Sequence, residues 1–188
     1  MADLAPVRTA ALGTLAATAR ACPAAELRPL AAEVKFLFRG RGEAVDAAGR
    51  AFGVALPDTA CRAVSSRWRA ALWLGPDEWL LVAPDDQQGE IEQAFAALQG
   101  LPHALVDVGH RNCGLEISGE QAAIVLASGC PLDLDPQAFP VGMCTRTVLG
   151  KAEIVLWRIA AYTFRIEVWR SFAPYVWCYL DEARSEFR

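Results

Sequence analysis

Several things this chain of 188 residues lacks narrow its function early. Its six cysteines, at positions 22, 61, 113, 130, 144 and 178, form no C-x-x-C pair. A disulfide-built secreted scaffold is denser in cysteine and smaller, so these residues read as compact apolar filler. Histidine is scarcer still. With only His103 and His110 available, a metal centre has few nitrogen ligands to draw on. There is no G-x-G-x-x-G after a strand, no P-loop and no H-E-x-x-H, so dinucleotide, nucleotide-phosphate and zinc-hydrolase sites of those types have no sequence support. No apolar run approaches the ~18 residues of a transmembrane helix. No run of Lys and Arg interleaves with aromatics, and the net charge is -4. Nucleic acid and membrane are therefore disfavoured as partners. The densest basic cluster, Arg62, Arg67 and Arg69, reads as a solvated strand face.

What is present is apolar. Hydrophobic residues make up 54% of the chain, above the ~45–50% of ordinary domains. Alanine inflates that figure, but the remainder still points to a subunit with more apolar surface than one domain hides. Arg8 followed by residues 9–16 faintly imitates a signal peptide. Its core is Ala and Thr, with Asp3 ahead of it, so residues 1–30 read as an N-terminal arm containing a small helix, and the chain as cytoplasmic.

The rest reads as one pattern written twice, with lobes at 31–103 and 104–188. In the first copy a strand at 34–40 leads to a helix at 43–52. A connector through Pro57 reaches 61–64, then a strand ending at Leu74, a turn at Gly75-Pro76-Asp77, a strand at 79–82 and a helix at 89–99. The second copy repeats this with a strand at 113–119, a helix at 120–128, a proline-rich connector to 144–148, strands at 153–158 and 162–168, and a helix at 172–183. Ile154, Leu156, Phe164, Ile166 and Val168 alternate with Glu153, Arg165 and Glu167, which predicts an apolar inner face and a charged outer one. Helical spacing recurs in Ile91, Ala94, Phe95 and Leu98, and in Tyr175, Val176, Tyr179 and Leu180. Trp73, Trp79, Trp157 and Trp169 fall on strands. The expected fold class is α+β: two pseudo-repeated strand-helix-strand-strand-helix lobes packed together, each sheet covered on one face.

Candidate chemistry is sparse. His110-Arg111-Asn112-Cys113 suggests a Cys/His pair, yet residues three apart on extended chain point oppositely. The reading preferred is a structured corner, with Asp107 capping, Arg111 salt-bridged and Cys113 packed. Asp133 and Asp135 read as turn caps, Asp85-Asp86 as a helix cap, Asp77-Glu78 as a hairpin tip and Ser171 as the N-cap of the last helix. No residue is assigned a catalytic or metal-binding role, and no cofactor-binding position is assigned.

Six segments carry a family resemblance. They are Leu74-Gly75-Pro76-Asp77-Glu78-Trp79-Leu80-Leu81-Val82, Asp107-Val108-Gly109-His110-Arg111-Asn112-Cys113-Gly114-Leu115, Gly129-Cys130-Pro131-Leu132-Asp133-Leu134, Phe139-Pro140-Val141-Gly142, Leu149-Gly150-Lys151-Ala152-Glu153-Ile154-Val155-Leu156-Trp157-Arg158 and Arg170-Ser171-Phe172-Ala173. In that order, over roughly 34–180, the chain resembles the gamma subunits of heterotetrameric sarcosine oxidases. The resemblance implies a structural or assembly subunit beside alpha, beta and delta chains. Such a complex oxidatively demethylates sarcosine to glycine, with H2O2 and formaldehyde or 5,10-methylenetetrahydrofolate. It places FAD, FMN, NAD and tetrahydrofolate in partner subunits, zinc in delta, and none of these here. It also implies the two-lobed fold of the folate-binding domain of the glycine cleavage T protein. The Lys-Gly-Cys motif of a relative tied to iron–sulfur maintenance is replaced by Gly150-Lys151-Ala152, so that activity does not carry over. A free-standing folate-binding or aminomethyltransferase-like domain is the alternative, and an adaptor unrelated to one-carbon chemistry a further one. Partner surfaces are expected at 62–69 or on the C-terminal helix with Tyr175, Trp177 and Phe187, and self-association in isolation is expected.

Overall fold

The computed structural model describes residues 10–188; positions 1–9 of the expected arm lie outside the described residues. A short helix α1 (Gly13–Thr18) and a 3-10 turn (Pro23–Ala25) precede strand β1 (Glu26–Pro29). The first copy follows as β2 (Glu33–Gly40), α2 (Glu43–Phe52), β3 (Ala63–Ser66), β4 (Arg69–Gly75), β5 (Glu78–Pro84), α3 (Gln88–Ala96) and β6 (His103–Asp107). The second comprises β7 (Asn112–Ser118), α4 (Ala122–Ala127), β8 (Cys144–Leu149), β9 (Ala152–Ala160), β10 (Thr163–Trp169) and α5 (Ala173–Ala183).

Each copy builds an antiparallel five-stranded sheet. The orders are β3-β4-β5-β2-β6 and, read in the matching direction, β8-β9-β10-β7-β1. Every position has its counterpart, so the repeat is structural. The fifth strands differ in origin. In the first sheet, β6 follows its own copy and pairs with β2. In the second, that place is taken by β1 from the N-terminal segment, which pairs with β7. The limits expected at 30 and 103 therefore cut across the sheets: β1 lies inside the expected arm, and β6 straddles the lobe boundary.

Both sheets are covered on both faces, which corrects the expectation of one covered face each. In the first sheet Phe36, Phe38, Ala71, Trp79 and Leu81 pack on α2 and α3 through Ala48, Phe52, Ile91 and Phe95. In the second, Leu115, Ile117, Ile154, Leu156, Phe164 and Ile166 meet Val125, Leu126, Val176, Trp177 and Leu180 of α4 and α5. The remaining faces meet each other: Leu72, Leu80 and Val82, with Leu37 beside them, pack against Cys144, Val155 and Trp157. The layers run helix, sheet, sheet, helix. A strand buried on both sides loses its alternation, as in β5, where Trp79 through Ala83 are all buried.

One pair of turns breaks the symmetry. The β8–β9 hairpin turns on Gly150, at φ +58°, followed by Lys151. Its counterpart between β3 and β4 turns on Arg67, at φ +53°, followed by Trp68. Glycine enters this left-handed region without steric penalty; an arginine does not. Arg67→Gly is expected to stabilise the chain by about 1 kcal/mol, seen as a Tm higher by roughly 2–4 °C in thermal unfolding.

Candidate functional site

The strand residues that should have faced water form the junction between the sheets. On β10, Arg165 and Glu167 point away from the α4/α5 core, and the first sheet covers them. Lys35 of β2 and Glu167 are 3% and 2% exposed. The Lys35 Nζ lies 3.1 Å from Glu167 Oε2 and 3.8 Å from Glu33 Oε2. Arg165 donates Nε–H to Glu167 Oε1 at 2.9 Å and Nη1–H to Glu33 Oε1 at 2.9 Å. Two cations and two carboxylates thus close a neutral cluster drawn from both lobes. Burial pushes the Glu167 carboxyl up, but Arg165 and Lys35 more than offset it and hold it below the ordinary carboxylate range. Burial works against the Arg165 charge, and the Glu167 and Glu33 carboxylates more than restore it. The sequence reading missed this site. The available signal was charge at alternate positions of strands otherwise apolar: Glu33 and Lys35, Arg165 and Glu167.

The segment richest in family resemblance proves to be the other half of the junction. Arg158, 3% exposed, donates Nη1–H to the carbonyls of Leu134 (3.1 Å) and Phe139 (2.9 Å), and Nη2–H to that of Ala161 (2.5 Å). Its guanidinium also lies 4.9 Å from the Phe164 ring centroid. It pins the proline-rich connector to β9. The Gly142 N–H then donates to the Arg158 carbonyl at 2.8 Å, while the Gly142 carbonyl accepts from Ala63 N–H at 2.8 Å. Arg62 bridges Met143 across the lobes, and Cys144 N–H donates to the Cys61 carbonyl at 3.0 Å. Gly142 holds φ +85°, which glycine tolerates. The Cys144 thiol is pushed up to about 12 by burial and then by nearby Cys61, so it is a packed group and not a ready nucleophile. At the sheet rim, Arg146 of β8 pairs with Glu78 of β5 and donates to the Leu74 carbonyl at 3.3 Å.

The 107–113 corner behaves as a corner. Asp107 Oδ1 accepts from Gly109 N–H at 2.8 Å, and Oδ2 from Gln88 Nε2 at 3.3 Å. His110 is exposed. It lines a cavity of about 230 Å³ together with Cys113, Glu33, Lys35 and Arg170. The Cys113 thiol is raised by burial. Among the described residues Arg111 has no salt bridge, contrary to expectation: its guanidinium sits 5.7 Å from the Trp169 ring centroid and donates to Asn112 Oδ1 at 3.2 Å. A stacked arginine satisfies its charge on the ring quadrupole without a carboxylate. Arg111 and Trp169, with Arg146, Leu37 and Val155, line a groove of about 520 Å³ between the sheets.

Asp133 and Asp135 cap turns, accepting from the backbone N–H of Asp135 and Gln137 at 2.9 and 2.8 Å. Asp77 ties the hairpin tip to Arg39 and Arg41. Asp85 and Asp86 open a 3-10 turn ahead of α3, which has no side-chain cap bond. Ser171 is not the N-cap of α5: the cap is Phe172, one residue later, again without a side-chain bond. The basic cluster at 62–69 is not a uniform solvated face. Arg69 leaves it, donating to the Phe52 carbonyl, Gln87 Oε1 and Glu90 Oε1 at 2.7 Å each. On the C-terminal helix Trp177 is core, Phe187 packs against it, and Tyr175 stays at the surface. Among the described residues no group of three or more His, Cys, Asp or Glu could hold a metal ion, and no helix is long and apolar enough to cross a membrane.

Comparison with known proteins agrees over most of the chain. The family model of the sarcosine oxidase, gamma subunit family matches residues 41–186. The sarcosine oxidase subunit gamma of Corynebacterium sp. (strain P-1) is 37% identical over 142 residues, 75% of this chain and 70% of that protein. That of an Arthrobacter species is 35% identical over 138 residues, 73% of this chain and 68% of that one. Among solved structures, a chain of the heterotetrameric sarcosine oxidase from Corynebacterium sp. U-96, determined with pyrrole 2-carboxylate, superposes with a TM-score of 0.88. It is 30% identical, and the match covers 96% of both chains. The glycine cleavage system aminomethyltransferase T of Bartonella henselae shares the fold, with a TM-score of 0.66 at 16% identity over 85% of this chain and 46% of that one. On sequence and fold together, this chain belongs to the sarcosine oxidase gamma subunit family.

Proposed function

We propose that this chain is the assembly subunit of a heterotetrameric sarcosine oxidase. In this role it binds alpha, beta and delta subunits and contributes shape and surface, while the chemistry proceeds elsewhere. The observation that carries the reading is end-to-end correspondence with a chain of such a heterotetramer. The junction supports it: the groups buried between the lobes are spent on one another and on backbone carbonyls, an arrangement that makes two sheets one rigid block. So does the surface, where Trp68, Tyr162, Trp169 and Phe172 remain 78%, 58%, 46% and 41% exposed, more aromatic surface than a solitary chain has use for. In this proposal FAD, FMN, NAD and tetrahydrofolate reside in the partners, and the chain works in the cytoplasm. A reducing compartment suits its six unpaired cysteines. Its uncovered aromatic surface leads to self-association in isolation.

The chain purified alone is expected to be colourless, to release no H2O2 on addition of sarcosine, and to give no saturable quenching of tryptophan fluorescence with tetrahydrofolate. Trp157 lines the junction and Trp169 the groove beside it, so a ligand bound between the lobes would register. Saturable quenching would favour the free-standing folate-binding reading. Bound flavin would overturn the assembly role.

A further inference from the structure

We propose that the β3–β4 hairpin is a docking knob, and that Trp68 enters an apolar pocket rimmed by carboxylates on a partner protein chain. The inference rests on the assembly reading above and names where the assembly contact lies. Trp68 is 78% exposed, the most exposed of the large hydrophobic side chains on the described surface. It occupies the second position of a two-residue turn, at the furthest point of the hairpin. Val64, 38% exposed on β3, adds apolar surface behind it.

Exposure alone would not make a site; three further features do. The first is rigidity. Arg69, immediately after Trp68 in the pair that closes the turn, fastens the tip of the hairpin to the helical layer through three hydrogen bonds of 2.7 Å, and its guanidinium lies 5.6 Å from the Phe52 ring centroid. A large aromatic on an immobilised tip loses little freedom on binding. The second is retained strain. Arg67 holds φ +53° where the matching turn of the second copy uses Gly150 at φ +58°. The fold thus demonstrates the unstrained solution and does not use it here, and strain held against an available alternative marks a functional surface. The third is charge. Arg67, beside Trp68 at the tip, is exposed and forms no ion pair with a described residue. It makes the tip cationic on a chain of net charge -4. An aromatic anchor beside an unpaired arginine is the composition of a binding hot spot, and its complement is acidic. The match to a chain of a heterotetramer favours an unlike chain over a second copy as the occupant.

The test is the affinity of purified wild-type and variant chains for the remaining three subunits, co-expressed and immobilised, at low and moderate NaCl. Trp68→Ala is expected to weaken binding about 30-fold or more, with an unchanged Tm because the side chain touches little of its own fold. Trp68→Phe should recover part of the loss. Arg67→Gly should keep the hairpin, weaken binding several-fold and flatten the salt dependence. Trp169→Ala, on another exposed patch, should change affinity by no more than a few-fold. If wild type binds the three subunits and Trp68→Ala binds equally well, the knob is wrong and the assembly reading stands. If Trp68→Ala abolishes only self-association of the isolated chain, the occupant is a second copy and the proposal fails. If wild type itself does not bind, the assembly reading fails and takes the knob with it.

Discussion

Glu167→Ala is expected to remove about 3–5 kcal/mol of folding stability, read as a lower midpoint in urea denaturation. The loss is large because the carboxylate is shared. Removing it leaves Lys35 at 3% exposure with Glu33 as its nearest carboxylate, 3.8 Å away, and leaves Arg165 with one partner instead of two. Against a total stability of roughly 5–15 kcal/mol for a domain, that is a substantial share. Most of it should return in Lys35→Met with Glu167→Leu, which removes one charge of each sign and leaves Arg165 paired with Glu33. The double variant separates a buried ion pair from a merely well-filled space, since breaking a pair costs more than replacing it. The pH dependence has a definite sign. The folded Glu167 carboxyl titrates below its ordinary value of 4.5. Its contribution is therefore complete above about pH 4.5 and is lost as pH falls through the folded value. Glu167→Gln should flatten the acid limb of stability against pH while leaving the limb above neutrality in place.

Arg158→Met is expected to cost about 3 kcal/mol or more, for a different reason. Arg158 has no carboxylate partner among the described residues; it is held by the carbonyls of Leu134, Phe139 and Ala161. Methionine fills the volume and leaves the buried Leu134 and Phe139 carbonyls short of a donor, at about 1–3 kcal/mol for each one left unsatisfied. The connector it pins also carries Phe139, 1% exposed and stacked 6.5 Å from Phe164, and the Gly142 carbonyl that receives Ala63. The loss should therefore spread to the lobe junction. Hydrogen exchange should show faster amide exchange at Ala63 and Cys144, donors across the junction on either side of the connector's end, ahead of global unfolding. Slow exchange at those two amides in the variant would mean the connector is held by packing alone.

Much of the fold was legible in the sequence, and the parts that were not share a cause. The helix expected from Glu43 to about Phe52 matches α2, which ends at Gly53 in the left-handed region. The inner face of β9 and β10 was correct because Ile154, Leu156, Phe164 and Ile166 obey period two. What failed was everything decided by the other lobe. Arg165 and Glu167 read as outward because alternation says which face is apolar, not what covers the opposite face. β1 and β6 went unplaced because each completes a sheet through a long-range partner, and neither strand has a local marker. Trp177 was offered as part of a partner surface on the aromatic C-terminal helix, yet α5 buries it together with Val176 and Leu180. Arg111 was given a carboxylate because arginines in corners usually find one; the Trp169 ring that it meets is distant in sequence. The stretch richest in family resemblance carries no reactive group at all. Its Gly142, Phe139 and Arg158 are explained by closure of the connector and joining of the lobes.

The measurement that bears most directly on that conclusion is native mass spectrometry of material captured through a tag on this chain, from cells producing the four candidate subunits together. One species containing four different chains, with this one present once, is expected. Flavin absorbance and sarcosine-dependent H2O2 should follow the complex, and neither should follow the chain released from it. Capture of the chain by itself while the other three assemble into an active oxidase would contradict the account.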